Sequence, residues 1–280
     1  MKVTENAYAK LNLTLEVGGK RSDGYHELVS VMTSATLHDT VTVEKADTIT
    51  LLCDRTDLPT DGRNLAVKAA GAFFETTGIN GGCHITLKKR IPSEAGLGGG
   101  SSDAAAVLRA LRNLYAPDIL AEELESIGAQ VGSDVPYCVR GGTVLCRGRG
   151  EQMTTLPGMP PCWYVIVKPE EAFSTGKMYG EIDRQKPQVV STTDLLIEEL
   201  KRGDLAEVAV HTNNTFQEVI PEESRVWDIQ DRLLTAGALD AMMSGSGSAV
   251  FGIFDEEEAA KTAAEALKKE YPQTFLAQSV

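Results

Sequence analysis

Glycine is concentrated in one segment, Pro92–Asp103, and this segment restricts most strongly how the chain can fold. Four of the five positions from Gly96 to Gly100 are glycine. A stretch of alternating apolar residues, typical of a strand, precedes them at His84–Ile91, and the apolar spacing of Ser101–Tyr115 predicts an amphipathic helix. Glycine backbone can approach a bulky anion because no Cβ intervenes, and the free N–H groups of a helix N-terminus favour phosphate. The sequence therefore predicts a phosphate-binding loop rather than a flexible connector.

The segment differs from the two best-known glycine motifs that bind nucleotides. It lacks the Gly-Lys-Ser/Thr end of a Walker A loop. It also differs from the dinucleotide-binding motif, because Ser101 stands where that motif has its third glycine. The pattern thus indicates a phosphate loop of another kind.

Strand patterns precede helical patterns in both halves of the chain, which favours an α+β fold over a doubly wound parallel sheet. The predicted strands are Tyr8–Val17, Asp39–Glu44, Thr48–Cys53, His84–Ile91, Gly142–Cys146, Trp163–Val167, Ala241–Met243 and Ala249–Phe254. The predicted helices are Asn64–Thr77, Ser101–Tyr115, Leu120–Ile127, Thr175–Asp183, Thr193–Arg202, Asn214–Val219, Glu223–Ala236 and Asp255–Tyr271, the last with Asp255 as its N-cap. Proline and glycine at Leu156–Pro161 predict a boundary between an N-terminal domain, residues 1–156, and a C-terminal domain, residues 157–280.

Charge and composition exclude several classes of protein. Acidic residues outnumber basic ones by 40 to 27, a net charge of −13, so a surface that binds nucleic acid or an anionic membrane is not expected. Five cysteines without a close CxxC pair and four scattered histidines predict neither a disulfide framework nor a structural metal. No apolar run approaches the ~20 residues of a membrane-spanning helix, and polar residues interrupt the region where a signal peptide would be apolar. We therefore expect a cytoplasmic protein whose partners are small molecules.

Two polar segments outside the glycine loop suit phosphate chemistry. Lys10 and Asn12 share one face of the first predicted strand, although a solvated sheet face is the commoner reason for such a pair. In the loop Gly132–Pro136, the proline stiffens the backbone next to Asp134. A fixed carboxylate could act as a general base or bind magnesium, but many aspartates at such positions are only turn or capping residues.

Two further loops are rich in residues that could contact a ligand. Met243–Ala249 contains serine and glycine only between its ends, and it either braces the first glycine loop or forms a tight hairpin turn. Gly24–His26 places an aromatic ring and an imidazole soon after the first strand, where an ordinary turn is the plainer interpretation.

Taken in order, these segments resemble the superfamily of galactokinase, homoserine kinase, mevalonate kinase and phosphomevalonate kinase. Residues 92–102 match its Pro-x-x-x-Gly-Leu-Gly-Gly-x-Ser-Ser phosphate loop, and residues 242–248 are similar to its C-terminal glycine-rich loop. Ala9–Leu13, Gly18–Leu28 and the Gly-x-Asp-Val-Pro signature at Gly132–Pro136 resemble one branch more closely. That branch phosphorylates a cytidyl-bearing methylerythritol in non-mevalonate isoprenoid biosynthesis.

The resemblance implies a two-domain kinase with a ribosomal-protein-S5-like N-terminal domain and a smaller α+β C-terminal domain. ATP would donate its γ-phosphate to the tertiary 2-hydroxyl of the substrate, and Mg²⁺ would accompany the phosphates with Ser101 as a candidate ligand but no fixed metal site on the protein. Asp134 would orient or deprotonate the hydroxyl, and Lys10 would hold it and offset the developing charge. A monomer or a homodimer is expected.

The resemblance also implies which residues contact the two substrates. The ATP-binding residues would be Asn64, Pro92, Ser93, Glu94, Ala95, Gly96, Leu97, Gly98, Gly99, Gly100, Ser101 and Ser102. The residues that bind the cytidyl substrate would be Asn12, Tyr25, His26, Thr175 and Tyr179, because aromatic faces can stack on a base.

Some positions depart from the pattern of the family. Glu94 places a negative charge in the phosphate loop, where a small or apolar residue is usual, and we expect its side chain to point to solvent. Tyr8 stands where proline is common, a change of little consequence. Arg147 and Arg149 stand where a lysine is expected, so neither takes over a role.

Two alternative functions remain at this point. The first is a kinase of the same fold that acts on mevalonate or homoserine, and the Gly24–His26 segment argues against it. The second is a non-catalytic ligand sensor on this fold. The presence of both Lys10 and Asp134 argues against a sensor, because a sensor needs no base.

Overall fold

The computed structural model describes all 280 residues, and the chain divides into two compact units. The first unit consists of Met1–Ala9, His38–Ile91 and Gly98–Gly141, and the second of Lys10–Leu37, Pro92–Leu97 and Gly142–Val280. Neither unit is a continuous stretch of sequence. The glycine-rich segment is shared, since Pro92–Leu97 belongs to the second unit and the residues after it to the first. The predicted boundary after residue 156 stays a prediction.

Runs of strands and runs of helices follow one another along the chain. The strands are β1 (Lys2–Lys20), β2 (His26–Ala46), β3 (Thr50–Cys53), β4 (Gly82–Lys88), β5 (Val144–Gly148), β6 (Gln152–Thr155), β7 (Trp163–Val167), β8 (Asn213–Asn214), β9 (Asp240–Met243), β10 (Val250–Phe254) and β11 (Thr274–Gln278). The helices are α1 (Leu65–Thr77), α2 (Gly99–Tyr115), α3 (Ala121–Ala129), α4 (Val135–Arg140), α5 (Thr175–Gln185), α6 (Thr193–Arg202), α7 (Leu205–Val210), α8 (Arg225–Thr235) and α9 (Glu257–Lys268). None of these helices is both long enough and apolar enough to cross a membrane.

The first unit packs helices α1 to α4 with a small group of strands. The end of β2 pairs with β4 in antiparallel register, Thr40 facing Lys88, and β3 pairs with β4 in parallel. Helices α1 and α2 lie against each other, and their alanine-rich buried faces allow a close approach. Together with apolar residues of the strands, these faces form one hydrophobic core, and its burial stabilises the first unit.

The second unit contains a four-stranded antiparallel sheet in the order β11-β7-β10-β9. Helices α8 and α9 pack on this sheet, and their apolar residues form the core with those of β7 and β10. A second group of strands lies in the same unit. There the first half of β2 pairs with β5, β5 pairs with β6, and β1 pairs in parallel with β8.

The predicted α+β class is confirmed, but several predicted elements are wrong in extent or type. Strand β1 is much longer than the predicted Tyr8–Val17, and Asp39–Glu44 is only the end of β2. Serine, threonine and glutamate interrupt the apolar alternation of both strands, so local periodicity detects only part of each. Strands β6 and β11 are not predicted at all.

Three other differences have clear local causes. The predicted helix Asn214–Val219 is wrong. Asn214 lies in β8 and pairs with Leu15 of β1, and only Gln217–Val219 forms a 3₁₀ turn. The predicted loop Gly132–Pro136 ends in helix α4, with the proline in its first turn, where a missing N–H costs nothing. The N-cap of α9 is Glu256 rather than Asp255.

Candidate active site

Strand β1 carries two polar side chains that are buried rather than solvated. Lys10 and Asn12 are 5% and 1% exposed, so the solvated sheet face considered from the sequence is wrong. The Lys10 ammonium donates to the Asn12 amide oxygen over 2.5 Å, and the Asn12 amide nitrogen donates to the Ser30 hydroxyl over 2.8 Å. Ser30 in turn donates to the Thr14 carbonyl oxygen. Burial of a lysine is costly unless it is well bonded, so this arrangement holds the ammonium in a defined place.

The first glycine-rich loop lies directly on this strand. The Lys10 backbone N–H donates to the Leu97 carbonyl oxygen over 3.0 Å. The Asn12 backbone N–H lies 3.4 Å from the Ser244 hydroxyl, and that hydroxyl donates to the Gly96 carbonyl oxygen over 3.1 Å. One serine of the C-terminal loop therefore links β1 to the glycine loop.

The two glycine-rich loops are in van der Waals contact. Gly96 has a φ of +73°, and a Cβ there would stand 1.9 Å from the Ser244 carbonyl oxygen. The Ala249 N–H also donates to the Ala95 carbonyl oxygen over 3.2 Å. A Cβ at Gly245 would stand 3.0 Å from the Gly96 carbonyl oxygen and 3.1 Å from the Lys10 ammonium. Glycine at positive φ allows both close approaches. Met243–Ala249 thus contacts the first loop and also connects the antiparallel strands β9 and β10, so both interpretations considered from the sequence hold.

Asn214 holds the C-terminal loop from its other side. Its amide nitrogen donates to the carbonyl oxygens of Met243 and Gly245 over 2.7 and 2.8 Å, and its amide oxygen accepts the Phe216 N–H. The sequence analysis missed both Asn214 and Ser244 as parts of this site. No local signal marks Asn214, because an asparagine at the start of a predicted helix is an ordinary N-cap residue.

The tip of the first glycine loop is exposed. Ser93 and Glu94 are exposed, whereas Pro92, Ala95 and Leu97 are buried and fix the loop. Glu94 adopts a φ of +51°, and its exposure agrees with the expectation that it points to solvent. Burial lowers the pKa of the neighbouring Lys168 ammonium, and the charges of Glu94 and Glu171 oppose this shift. Glu94 and Lys177 also line a cavity of about 250 Å³ together with the segment 172–174 and Met178.

The aromatic residues predicted to bind substrate lie near one another in the second unit. The His26 and Tyr179 rings stack, with centroids 4.9 Å apart and planes inclined by 20°. The His26 Nε2 atom lies 2.8 Å from the Asp183 carboxylate, and this hydrogen bond lowers the pKa of Asp183. The Thr175 hydroxyl lies 2.9 Å from that of Ser246 in the C-terminal loop. The imidazole is thus fixed on one edge by a carboxylate and on one face by a ring.

Tyr25 is placed differently from His26. Its side chain is 54% exposed, and the Arg149 guanidinium lies 4.9 Å from the centre of its ring, a cation–π contact. Sequence reasoning left Arg149 without a role. The structure places it on one face of a ring that is otherwise open to solvent.

The remaining predicted residues belong to the first unit. Gly98 has a φ of +67° and precedes α2, whose first turn contains Ser101 and Ser102. The Ser102 hydroxyl makes a hydrogen bond within the protein, because it donates to the Tyr8 carbonyl oxygen. Asn64 is the N-cap of α1, where its side-chain oxygen accepts the Ala66 N–H over 2.9 Å. Asp134 is half-buried and immediately precedes α4.

Two family models match the chain: the GHMP kinases N terminal domain over residues 64–142 and the GHMP kinases C terminal domain over residues 196–273. The N-terminal match contains the whole glycine loop and Asp134, and the C-terminal match contains Asn214 and Ser244. The chain therefore belongs to the GHMP kinases, as its sequence resemblance predicted, and it is an ATP-dependent kinase.

Two relatives with curated names are similar to this chain over its whole length. The chain is 42% identical to the 4-diphosphocytidyl-2-C-methyl-D-erythritol kinase of Caldanaerobacter subterraneus subsp. tengcongensis, over 100% of this chain and 98% of that protein. It is 40% identical to the enzyme of the same name from Clostridium novyi, over 98% of this chain and 99% of that protein. The similarity thus extends over the whole length of both chains.

Solved structures agree with these relatives. A crystal structure of 4-(cytidine 5'-diphospho)-2C-methyl-D-erythritol kinase superposes with a TM-score of 0.84 at 33% identity, over 99% of each chain. Homoserine kinase from Cytophaga hutchinsonii superposes with a TM-score of 0.78 over 100% of this chain and 94% of that one, at only 20% identity, so it shares the fold. The GHMP kinase fold predicted from the sequence is confirmed.

Proposed function

We propose that this chain transfers the γ-phosphoryl group of ATP to the 2-hydroxyl of 4-diphosphocytidyl-2-C-methyl-D-erythritol, giving the 2-phosphate and ADP in non-mevalonate isoprenoid biosynthesis. The full-length identity of about 40% to kinases of that name supports the substrate. The observation that carries the chemistry is the buried Lys10 ammonium, which is in van der Waals range of the tip of one glycine-rich loop and bonded through its backbone to the other.

In this proposal Lys10 stabilises the charge that develops during transfer. Its ammonium donates to the Asn12 amide oxygen and is buried, so the cation is fixed in a water-poor place. A fixed cation in such a place interacts strongly with a negatively charged oxygen. Lys10 would hold the acceptor hydroxyl and offset the charge on the transferred group.

Asp134 is the proposed general base. The resemblance of Gly132–Pro136 to the Gly-x-Asp-Val-Pro signature supports this role, and Asp134 is half-buried immediately before α4. A carboxylate that accepts or orients the proton of the attacking hydroxyl increases the nucleophilicity of its oxygen. Phosphoryl transfer otherwise depends on positioning and on electrostatic stabilisation.

The glycine loop and the start of α2 are the proposed phosphate contacts. Gly96 and Gly98, both at positive φ, expose backbone to a ligand, and the N–H groups of the first turn of α2 favour anions. Asn64 is proposed to lie near the nucleotide. Mg²⁺ would enter with ATP, and it needs few protein ligands because it keeps several waters. The half-buried Ser101 in the first turn of α2 is a suitable oxygen donor for it.

Recognition of the cytidyl group is assigned to His26, Tyr25 and Tyr179, with Thr175 and Asn12 nearer the polar part of the substrate. The His26–Asp183 hydrogen bond fixes the imidazole, which can then read the hydrogen-bonding edge of a base. Tyr25 offers an exposed ring on which a base can stack. We further expect the enzyme to be cytoplasmic and to act on small molecules only.

The proposed function is tested by ADP release with three alcohols at equal concentration: the cytidyl compound, mevalonate and homoserine. The cytidyl compound should give a kcat/KM at least about 10³-fold above the others, since sites built to bond a polar group reject analogues that lack it by 10⁴–10⁵-fold. A higher kcat/KM for mevalonate or homoserine would contradict the proposed substrate but not the kinase activity. Absence of turnover with all three would contradict both.

A further inference from the structure

Three charged side chains are buried together in the first unit. The Lys89 ammonium donates to the carboxylates of both Asp39 and Asp103. The side chains are 5%, 0% and 4% exposed, respectively. We call these three residues the Lys89 cluster. They come from the end of β2, from the residue after β4 and from α2, so they join three separate stretches of chain.

One carboxylate of the Lys89 cluster fixes the backbone that leads into the glycine loop. The Asp39 oxygen Oδ1 accepts the N–H groups of Arg90 and Ile91, the latter over 2.8 Å, while Oδ2 accepts from Lys89. Pro92, the first residue of the loop, follows at once. The entry of the loop is therefore tied to Asp39 by two backbone bonds and through Lys89.

The other carboxylate fixes the helix that leaves the loop. Asp103 is the fifth residue of α2, whose first residue is Gly99. A Cβ at Gly99 would stand 3.0 Å from the Ile91 Cγ2 atom and 3.7 Å from the Lys89 ammonium, so the start of the helix rests on the cluster itself. Lys89 consequently holds both ends of the glycine loop, one through each carboxylate.

Stability alone is a poor reason for such an arrangement. Two buried carboxyl groups share one ammonium, and the Asp103 oxygen Oδ1 has no hydrogen-bond partner. Buried ion pairs of this kind are often no more stabilising than apolar residues of the same size. Their characteristic benefit is a single fixed geometry, and the geometry fixed here is that of the two loop ends.

We propose that Lys89, with Asp39 and Asp103, is a positioning residue for the phosphates of ATP, because it sets the spacing between the entry of the glycine loop and the start of α2. The proposal rests on the proposed role of that loop in binding ATP. Lys89 itself touches no reacting atom in this account. Its loss would displace the backbone N–H groups that meet the phosphates, while leaving the residues assigned to the cytidyl substrate in place.

The test compares kinetic constants of two variants of the cluster. Lys89→Met keeps the length of the side chain and removes its charge. Asp103→Asn keeps the shape of the side chain and leaves Lys89 and Asp39 as a neutral pair. We therefore expect Asp103→Asn to fold even if Lys89→Met does not. The KM for ATP should rise about 10- to 100-fold in Lys89→Met and less in Asp103→Asn, since displacement by about 1 Å can cost 10²-fold. At saturating ATP, kcat and the KM for the alcohol should stay within about threefold of wild type.

The control is Glu125→Gln, which weakens the ion pair of Glu125 with Arg140 in the same unit. It should lower the unfolding temperature without changing the KM for ATP. The proposal is overturned if the cluster variants leave the KM for ATP unchanged, if they reduce kcat/KM equally for ATP and the alcohol, or if Glu125→Gln raises the KM for ATP as much as they do. If the proposed alcohol is not the substrate, the test still applies, because titration calorimetry measures the affinity of each variant for ATP without any alcohol.

Discussion

Two lysines of this chain have buried side chains, yet their surroundings differ. Lys10, in the second unit, donates to a neutral amide, and a glycine-rich loop lies in contact with its ammonium. Lys89, in the first unit, donates to the carboxylates of Asp39 and Asp103. An ammonium between two carboxylates is neutralised locally, whereas the Lys10 ammonium lies against a glycine-rich loop that is proposed to meet the phosphates. The first arrangement suits catalysis and the second suits positioning.

The comparison assigns different kinetic constants to the two regions. Residues around Lys10 should act on the rate of phosphoryl transfer, and the Lys89 cluster should act on the binding of ATP. The variants and measurements below test whether the two regions act on different kinetic constants.

The largest effect is expected from Asp134→Asn, which removes the proposed base and keeps its shape. Turnover should fall about 10²- to 10⁴-fold, because general base catalysis contributes that much, and ATP binding should change little. Steady-state kinetics and calorimetry with ATP measure the two quantities. Near-normal turnover in a folded variant would mean that Lys10 acts without this base.

Gly96→Ala should have the next largest effect. The new Cβ would meet the Ser244 carbonyl oxygen, and alanine disfavours the positive φ of this residue, so the contact between the two glycine loops must open. We expect kcat/KM to fall about 10²-fold through misplacement of the loop next to Lys10.

Gly71→Ala is the matched control for that change. Gly71 lies inside α1, and a Cβ there would meet no atom within 4 Å. Alanine favours a helix, so stability should be unchanged or slightly higher. Equal losses of activity in the two variants would show that the contact with Ser244 is not what Gly96 provides.

Tyr25→Ala should weaken the substrate rather than the nucleotide. Stacking on an aromatic ring contributes about 1–3 kcal/mol per base, so the KM of the cytidyl compound should rise roughly 5- to 150-fold. The KM for ATP should not change. Arg149→Ala, which uncovers one face of the same ring, tells whether the cation–π contact holds Tyr25 in place. An unchanged KM in Tyr25→Ala would remove this ring from the substrate site.

The smallest effect concerns stability against pH in the Lys89 cluster. Burial raises the pKa of Asp103 to about 7; the Lys89 ammonium opposes this rise, and the Asp39 carboxylate adds to it. In the unfolded chain an aspartate titrates near 3.9. The folded state therefore binds the proton more tightly, and the stability from this group, fully present below about pH 4, is lost as the pH rises through 7. Thermal unfolding of Asp103→Asn should depend less on pH over that range than that of wild type, and an unchanged slope would contradict the shift.

The sequence predicts the regions that depend on local pattern. The glycine loop and helix α2 could be predicted because glycine spacing and helical periodicity are both local. The α+β class and the pairing of Lys10 with Asn12 on one strand face follow in the same way. The family resemblance added the expected chemistry of each motif, which no periodicity could supply.

The remainder depends on contacts between distant residues. Burial of Lys10 follows from the loops that cover it, and Asn214 leaves a helical pattern because β1 and the C-terminal loop bind it. Lys89, Asp39 and Asp103 each have the appearance of surface charges in the sequence, since charged residues are seldom fully buried. Only the fold brings them together, so nothing in the local sequence could have predicted the cluster.

The division between the two lysines is tested most directly by single-turnover phosphoryl transfer with saturating ATP and cytidyl substrate. Lys10→Met should transfer about 10²- to 10³-fold more slowly than wild type even at saturation, as expected when a fixed charge-stabilising donor is removed. Lys89→Met should approach the wild-type rate once ATP saturates it. A normal rate in Lys10→Met, or a rate in Lys89→Met that stays as low as that of Lys10→Met at every ATP concentration, would contradict the account.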